Sequence, residues 1–228
     1  MTRVILWDVD GTLLDFHEPE RVAIRALFGR FGLGECTEEM LQRYSAVNRR
    51  YWARMEQGEL TKQQVLLGRF EEFFTSLGID PAIAPAFNDA YQLSLGDTIV
   101  FRDDSLEIVR ALRGKVRQYV VSNGTVAAQT KKLRLSGLGE LMDGVFLSEQ
   151  LGAEKPSPDF FDRVFAAIGP VERSEVLIVG DSIGSDIRGG TRAGIRTCWY
   201  DPDGAAEAPE DVRVDHRITH LSQVFDLL

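Results

Sequence analysis

The run Val4-Ile5-Leu6-Trp7 passes straight into Asp8-Val9-Asp10-Gly11-Thr12-Leu13-Leu14-Asp15, and no other stretch limits the fold so tightly. A short apolar run ending in two acids one residue apart reads as a buried strand that delivers carboxylates to the rim of a sheet, where α/β enzymes keep their chemistry. In a straight strand residues 8 and 10 share a face, because side chains alternate with period two. Paired carboxylates repel and are costly to bury, so the motif asks for a cation nearby, and a divalent hard metal ion takes oxygen ligands. Gly11 allows a sharp turn after the strand, and the expectation is that backbone N–H groups there are left free to face an anion.

After Asp15 the pattern turns helical for about eighty residues. Glu18-Pro19-Glu20 opens a first helix carrying Val22, Ala23, Ala26, Leu27 and Phe31, which Gly32 and Gly34 end. Thr37 caps a second helix with Met40, Leu41, Tyr44, Val47, Tyr51 and Met55 on one face. Thr61-Lys62-Gln63-Gln64 is a capping box for a third helix striped by Val65, Leu66, Phe70, Phe73, Phe74 and Leu77, and Asp80-Pro81 starts a fourth. Four amphipathic helices with short connections make a bundle, expected over residues 16–97 and inserted between the first and second strands of a core made of 1–15 and 98–228.

The sheet pattern resumes at Thr98-Ile99-Val100-Phe101, and Ser105 is expected to cap the helix that follows. Gln118-Tyr119-Val120-Val121 leads into Ser122-Asn123-Gly124-Thr125, a strand end opening a helix, where a hydroxyl and N–H groups converge to cradle phosphate. A strand at Val145-Phe146-Leu147 precedes Lys155, whose loop is stiffened by Pro156 and Pro158 before a helix begins at Ser157-Pro158. Val176-Leu177-Ile178-Val179 ends in Gly180-Asp181-Ser182-Ile183-Gly184-Ser185-Asp186, again acids at a strand end. A short helix to Ala193, a strand to Tyr200, a Pro, Ala and Asp-rich loop over 201–214 and a last strand and helix complete the chain. Alternating strands and helices predict a three-layer α/β, Rossmann-like parallel-sheet core with right-handed crossovers.

Asp8-Val9-Asp10-Gly11-Thr12-Leu13 resembles the first motif of the haloacid dehalogenase superfamily, most of whose members hydrolyse phosphate monoesters. The Ser122-Asn123-Gly124 stretch, Lys155 and the Gly180 to Asp186 stretch resemble its second, third and fourth motifs, in order. The resemblance implies that Asp8 attacks phosphorus and that Asp10 serves as acid, then base. It further implies that Asp8, the Asp10 carbonyl and Asp181 hold a magnesium ion (Mg2+), with Asp186 either reaching the ion through water or holding Lys155. Ser122, the Asn123 N–H and Lys155 would bind phosphate oxygens. In this family the helical insert is a cap that closes over the site. Asp10 argues against halide removal, which needs no leaving-group acid. Lys62, at the start of the third cap helix, is a weak match to the imine-forming lysine of phosphonate cleavage. A sugar-phosphate mutase or phosphatase uses the same core, and a non-catalytic phosphoryl-ligand binder is opposed by the intact acid pair.

Asn48-Arg49-Arg50-Tyr51-Trp52, Glu56-Gln57-Gly58-Glu59-Leu60-Thr61, Arg69-Phe70 and Thr197-Cys198-Trp199-Tyr200 resemble the branch that includes pyrimidine 5′-nucleotidases. Asn48 and Trp52 lie one helical turn apart, so they could share a face, line the active-site mouth and meet a base; the other reading places Trp52 in the bundle core. A net charge of −9 argues against a nucleic-acid partner but does not exclude a small anionic substrate, because local cations and a metal can reverse the field at a site. The resemblance implies a small phosphate ester, a nucleotide in this branch. Apolar content of 44% comes without a run near the ~20 residues of a membrane span. The N-terminal apolar stretch is too short for a secretory signal, and Cys36 and Cys198 fit no ligand spacing. The expectation is a cytoplasmic monomer or homodimer with both cysteines as buried small hydrophobes.

Overall fold

The computed structural model describes residues 1–204 and 207–228. The chain forms two compact units, one of His17–Thr98 and one of Met1–Phe16 with Ile99–Leu228. No helix among the described residues is long and apolar enough to cross a membrane.

The inserted unit contains α1 (His17–Arg30), α2 (Glu38–Glu56), α3 (Lys62–Ser76) and α4 (Ala84–Ser94), the last entered through a 3₁₀ turn at Pro81–Ile83. Local chemistry sets these starts. The Thr37 hydroxyl accepts from the Met40 N–H, and Thr61 and Gln64 form the reciprocal capping box. Phe28, Tyr44, Phe70, Phe73, Phe74, Phe87 and Tyr91 are buried and meet ring to ring at centroid distances of 5.0–6.1 Å. Each such burial contributes about 1.5–3 kcal/mol, which is what holds four short helices together.

In the other unit the helices are α5 (Ser105–Leu112), α6 (Val126–Ser136), α7 (Ser148–Leu151), α8 (Pro158–Ile168) and α9 (Arg188–Arg192). The strands are β1 (Val4–Trp7), β2 (Arg117–Ser122), β3 (Gly144–Leu147), β4 (Val176–Gly180), β5 (Arg196–Tyr200) and β6 (His216–Ile218). They form one sheet in the order β3-β2-β1-β4-β5-β6, with every neighbouring pair parallel. Alternation along the strands splits the core into two apolar layers. Val4, Leu6, Val121 and Ile178 pack on Phe160, Phe161 and Val164 of α8. Ile5, Trp7, Val120 and Val179 pack on the other side with Ile108 and Val109 of α5, Leu133 of α6 and the C-terminal 3₁₀ segment Leu221–Leu227. The sheet therefore lies between two helical layers.

Three local expectations give way. Residues 98–101 add no strand to the sheet. They clasp the turn after β1 instead, with the Asp15 N–H donating to Val100 O at 2.8 Å and the Arg102 N–H to Leu13 O at 3.1 Å, an antiparallel bridge apart from the parallel ladder. Ser105 does not cap α5 but begins it, and its hydroxyl donates to Leu13 O at 2.7 Å. The Gly11 N–H is not left for an anion, because it donates to Leu14 O at 2.8 Å. Of the loop expected over 201–214, residues 205 and 206 lie outside the described residues. Cys36 and Cys198 are buried free thiols, and burial pushes the Cys198 thiol up to about 12.

Candidate active site

From β1 the chain proceeds through β2 and β3 on one side of the sheet, then places β4, β5 and β6 on the other. The carboxyl ends of β1 and β4 therefore flank the point where the strand order reverses, the place where open α/β sheets bind ligands. Trp7 pairs with Val179, and the Asp8 N–H donates to Val179 O at 3.0 Å. That register brings Asp8 and Asp181 to the same edge, where Ser122 ends β2 and the loop between α7 and α8 carries Lys155.

Lys155 is the hub. Its buried ammonium donates to Asp186 Oδ1 at 2.6 Å, to Asp8 Oδ1 at 2.8 Å and to Val121 O at 2.8 Å, which uses all three of its N–H bonds. Burial alone would depress this ammonium, but Asp186 and Asp8 more than offset it and hold it above the ordinary lysine value. Asn123 fixes the loop that carries it: its side chain donates to Lys155 O at 2.8 Å and accepts from the Lys155 N–H at 2.9 Å. Asp186 thus holds Lys155. Its second oxygen accepts from the Ser182 N–H at 3.1 Å, and a Cβ on Gly180 would fall 2.2 Å from that oxygen, so glycine there admits the carboxylate. Burial pushes the Asp8 carboxyl up to about 7, with Lys155 pulling it down and Asp186 pushing it further up.

Asp181 keeps solvent contact along one side, yet its carboxylate is hemmed in. A Cβ on Gly11, whose φ is +96°, would fall 2.4 Å from Asp181 Oδ2. Thr12 fixes the other oxygen: its hydroxyl donates to Asp181 Oδ1 at 3.1 Å and accepts from the Asp181 N–H at 3.0 Å. Loss of hydration around the carboxylate, with the charges of Asp8 and Asp186, pushes Asp181 well above the ordinary range, and the Thr12 hydroxyl pulls it back. One carboxylate oxygen from each of Asp8, Asp181 and Asp186 lies within 4.8 Å of the others. Hard oxygen donors this close, with their protons held against a charge excess, fit a small divalent cation. Since Asp186 is committed to Lys155, Asp8 and Asp181 are the carboxylates that such an ion would use.

The Ser122 hydroxyl is buried and accepts from the Gly124 N–H at 3.0 Å. Asp10 departs from the shared-face expectation. β1 ends at Trp7, and the turn that follows, tied by the Thr12 and Leu14 N–H groups to Val9 O, aims the Asp10 carboxylate at α6. There Lys132 Nζ donates to Asp10 Oδ1 at 2.5 Å and Gln129 Nε2 to Oδ2 at 2.6 Å. Neither residue is among those the sequence motifs single out. The signal was their i, i+3 spacing on the first turns after Ser122-Asn123-Gly124.

Asn48 requires a correction. Rather than offering its amide to a base, it is buried within the helical unit, where Nδ2 donates to Glu20 Oε2 at 2.8 Å and Oδ1 accepts from Arg69 Nη1 at 2.8 Å. A buried cation and a buried anion claim it. Trp52, one turn along α2, is only half-buried and lies outside the aromatic core of that unit.

Residues 2–194 match the haloacid dehalogenase-like hydrolase family. The HAD-hydrolase YfnB of Bacillus subtilis (strain 168) is 32% identical over 226 residues, covering 99% of this chain and 95% of the relative. Its crystal structure, described as bound to magnesium and revealing interdomain movement, superposes with a TM-score of 0.92 over 100% of this chain and 98% of that one. Pyrimidine 5′-nucleotidase YjjG of Escherichia coli (strain K12) is 30% identical over 98% of this chain and 96% of its own length. Pyrimidine 5′-nucleotidase PynA of Streptococcus pneumoniae (strain ATCC BAA-255 / R6) is 32% identical over 88% of this chain and 84% of its own. With four motifs gathered at one sheet edge and similarity running along nearly its whole length, the chain belongs to the haloacid dehalogenase-like hydrolase family.

Proposed function

We propose that the protein is a magnesium-dependent phosphate-monoester hydrolase that works through an aspartyl-phosphate on Asp8. The observation that carries this reading is the Asp8–Lys155–Asp186 triple, in which a buried ammonium holds one oxygen of a buried carboxylate at 2.8 Å and is itself held by Asp186 at 2.6 Å. Such an arrangement orients a nucleophile without consuming it. A carboxylate oxygen of Asp8 attacks phosphorus, the ester P–O bond breaks, and Asp10 gives its proton to the departing oxygen. Asp10, now a carboxylate, takes a proton from water as the water oxygen attacks the same phosphorus. The bond to Asp8 breaks, releasing inorganic phosphate and restoring both acids. The Ser122 hydroxyl, the Asn123 N–H and Lys155 receive the non-bridging oxygens, Lys155 trading its hold on Asp8 for the incoming charge. Asp8, Asp181 and the Asp10 carbonyl would hold the magnesium ion, which when bound supplies charge neutralisation at the phosphoryl oxygens.

The substrate is proposed to be a nucleoside 5′-monophosphate, with pyrimidines preferred. Support comes from YjjG and PynA, both named pyrimidine 5′-nucleotidases, and from Trp52, a half-buried aromatic residue of α2. A panel of UMP, dUMP, dTMP, purine nucleotides and hexose and triose phosphates, assayed for phosphate release with magnesium and after chelation, tests both parts. Activity that survives exhaustive chelation overturns the metal-dependent mechanism, and a sugar phosphate preferred over every nucleotide overturns the substrate. Trp52→Ala should lower kcat/KM for UMP by about tenfold while sparing 4-nitrophenyl phosphate. An equal loss on both removes Trp52 from the specificity surface.

A further inference from the structure

We infer that Gln129 and Lys132 are positioning residues for Asp10, a two-point clamp on α6 that fixes where the leaving-group proton is delivered. The inference rests on the phosphatase reading above and adds two residues that no motif contains. Each takes a different oxygen of the same carboxylate, Lys132 at 2.5 Å and Gln129 at 2.6 Å, and both are buried. They stand three residues apart, so one helix face presents both donors together.

Two further observations show that the local structure is arranged around this contact. A Cβ on Gly124 would fall 2.2 Å from Gln129 Nε2, so glycine in the loop after β2 leaves the path by which Gln129 reaches Asp10. The other end of the same amide, Gln129 Oε1, is buried with no hydrogen-bond partner among the described residues. An amide placed for its own satisfaction would not strand an acceptor; here the position is set by what Nε2 holds. Lys132 is enclosed further by the Phe16 ring, 5.2 Å from its ammonium, which limits where that charge can go.

The clamp matters because Asp10 lies beyond the end of β1, in a turn, where the sheet no longer fixes its side chain. A partly buried ion pair such as this one is a weak source of net stability, since desolvation offsets much of the attraction, but it can fix an orientation. Proton transfer to a leaving oxygen needs that orientation to within hydrogen-bond reach. Without the clamp Asp10 would remain present but poorly aimed, and the loss would grow with how badly the leaving group needs its proton.

The test compares 4-nitrophenyl phosphate, whose leaving group departs without a proton, with a simple alkyl phosphate, whose leaving group needs one, using the whole chain with magnesium. In Gln129→Leu and Lys132→Met the ratio of kcat on the alkyl ester to kcat on the nitrophenyl ester should fall by about tenfold or more, with KM changing far less. In an Asp10→Asn background neither substitution should lower that ratio further. The inference is overturned if the clamp variants slow both esters alike, or if their effect multiplies that of Asp10→Asn. If Asp10→Asn itself fails to discriminate between the esters, the acid–base reading falls and this inference with it. If Asp10→Asn discriminates and the clamp variants do not, only the inference falls. Thermal unfolding guards against misfolding, and should Lys132→Met not fold, Gln129→Leu decides alone.

Discussion

Each unit of the molecule buries charge, and the two do so for opposite ends. In the sheet unit Asp8 and Asp186 share one ammonium and Asp181 lies beside them, so negative charge exceeds positive and two of the carboxyls are pushed upward. In the helical unit Glu20 and Arg69 are buried one to one, joined through the Asn48 amide at 2.8 Å on each side, with Arg69 also packed against the rings of Phe70 and Tyr91 at 5.0 and 5.2 Å. The second arrangement is close to balanced and asks for no ligand. The first is unbalanced at an edge open to solvent, and a cation or a reaction must complete it. Stored imbalance of this kind marks a site, whereas balance marks a core.

The contrast breaks most visibly if its two halves respond alike to mutation. Asp8→Asn should lower turnover by at least about 10⁴-fold while leaving thermal stability unchanged or raised by about 1 kcal/mol, because a catalytic carboxylate held at electrostatic cost is relieved. Phosphate release and thermal unfolding on the same sample check both halves of that statement. Lost stability alongside lost activity would make the sheet cluster a structural core like the other one.

Proton release on metal binding sharpens the same point. The Asp8 carboxyl sits near pH 7, and a cation needs the carboxylate. Magnesium affinity should therefore weaken by about tenfold or more for each unit that pH falls below 7, the raised Asp181 carboxyl adding to the Asp8 proton. Calorimetry in buffers of different ionisation enthalpy reads the released proton directly. A pH-independent affinity between pH 5 and 8 would mean that Asp8 is no ligand.

The helical unit should show the reverse pattern. Arg69→Met leaves Glu20 buried without its cation and should cost about 3 kcal/mol of stability. Thermal unfolding measures it, and a change below about 0.5 kcal/mol would show that the Glu20–Asn48–Arg69 chain balances nothing.

The smallest effect comes from Glu20 itself. Burial raises its carboxyl above the ordinary value of 4.5, with the Ser45 hydroxyl and Arg69 pulling it back. The folded state therefore prefers the protonated acid. That contribution is full below pH 4.5 and fades as pH rises through the folded value. Glu20→Gln, a permanent neutral mimic, should accordingly gain stability on the parent as pH is raised from 4 to 7. Parallel pH dependences of the two proteins would contradict the assignment.

The parallel sheet and its edge were legible because each strand announces itself twice, by an apolar run and by the polar residues that end it. Val4-Ile5-Leu6-Trp7 before Asp8 and Val176-Leu177-Ile178-Val179 before Gly180-Asp181 are such pairs. Ile99-Val100-Phe101 carries the same signature, ended by Arg102-Asp103-Asp104, yet its backbone pairs with residues 13–15 instead of the sheet. Polar residues on helices were harder to place. Asn48 sits on the same stripe as Leu41, Tyr44 and Met55, which was a mark of burial, but nothing in a single helix says that its partners are Glu20 on α1 and Arg69 on α3. Gln129 and Lys132 were hidden for the same reason. Their partner is 119 and 122 residues away, and only the parallel register of β1 and β2 brings α6 alongside the Asp10 turn.

All of this rests on Asp8 becoming covalently phosphorylated. Rapid quenching during turnover of UMP or 4-nitrophenyl phosphate, followed by borohydride reduction and peptide mass spectrometry, converts an aspartyl-phosphate to homoserine at the residue that carried it. The account predicts homoserine at position 8, absent without substrate and absent in Asp8→Asn. Homoserine at another carboxylate, or none at all in enzyme that is turning over, would contradict it.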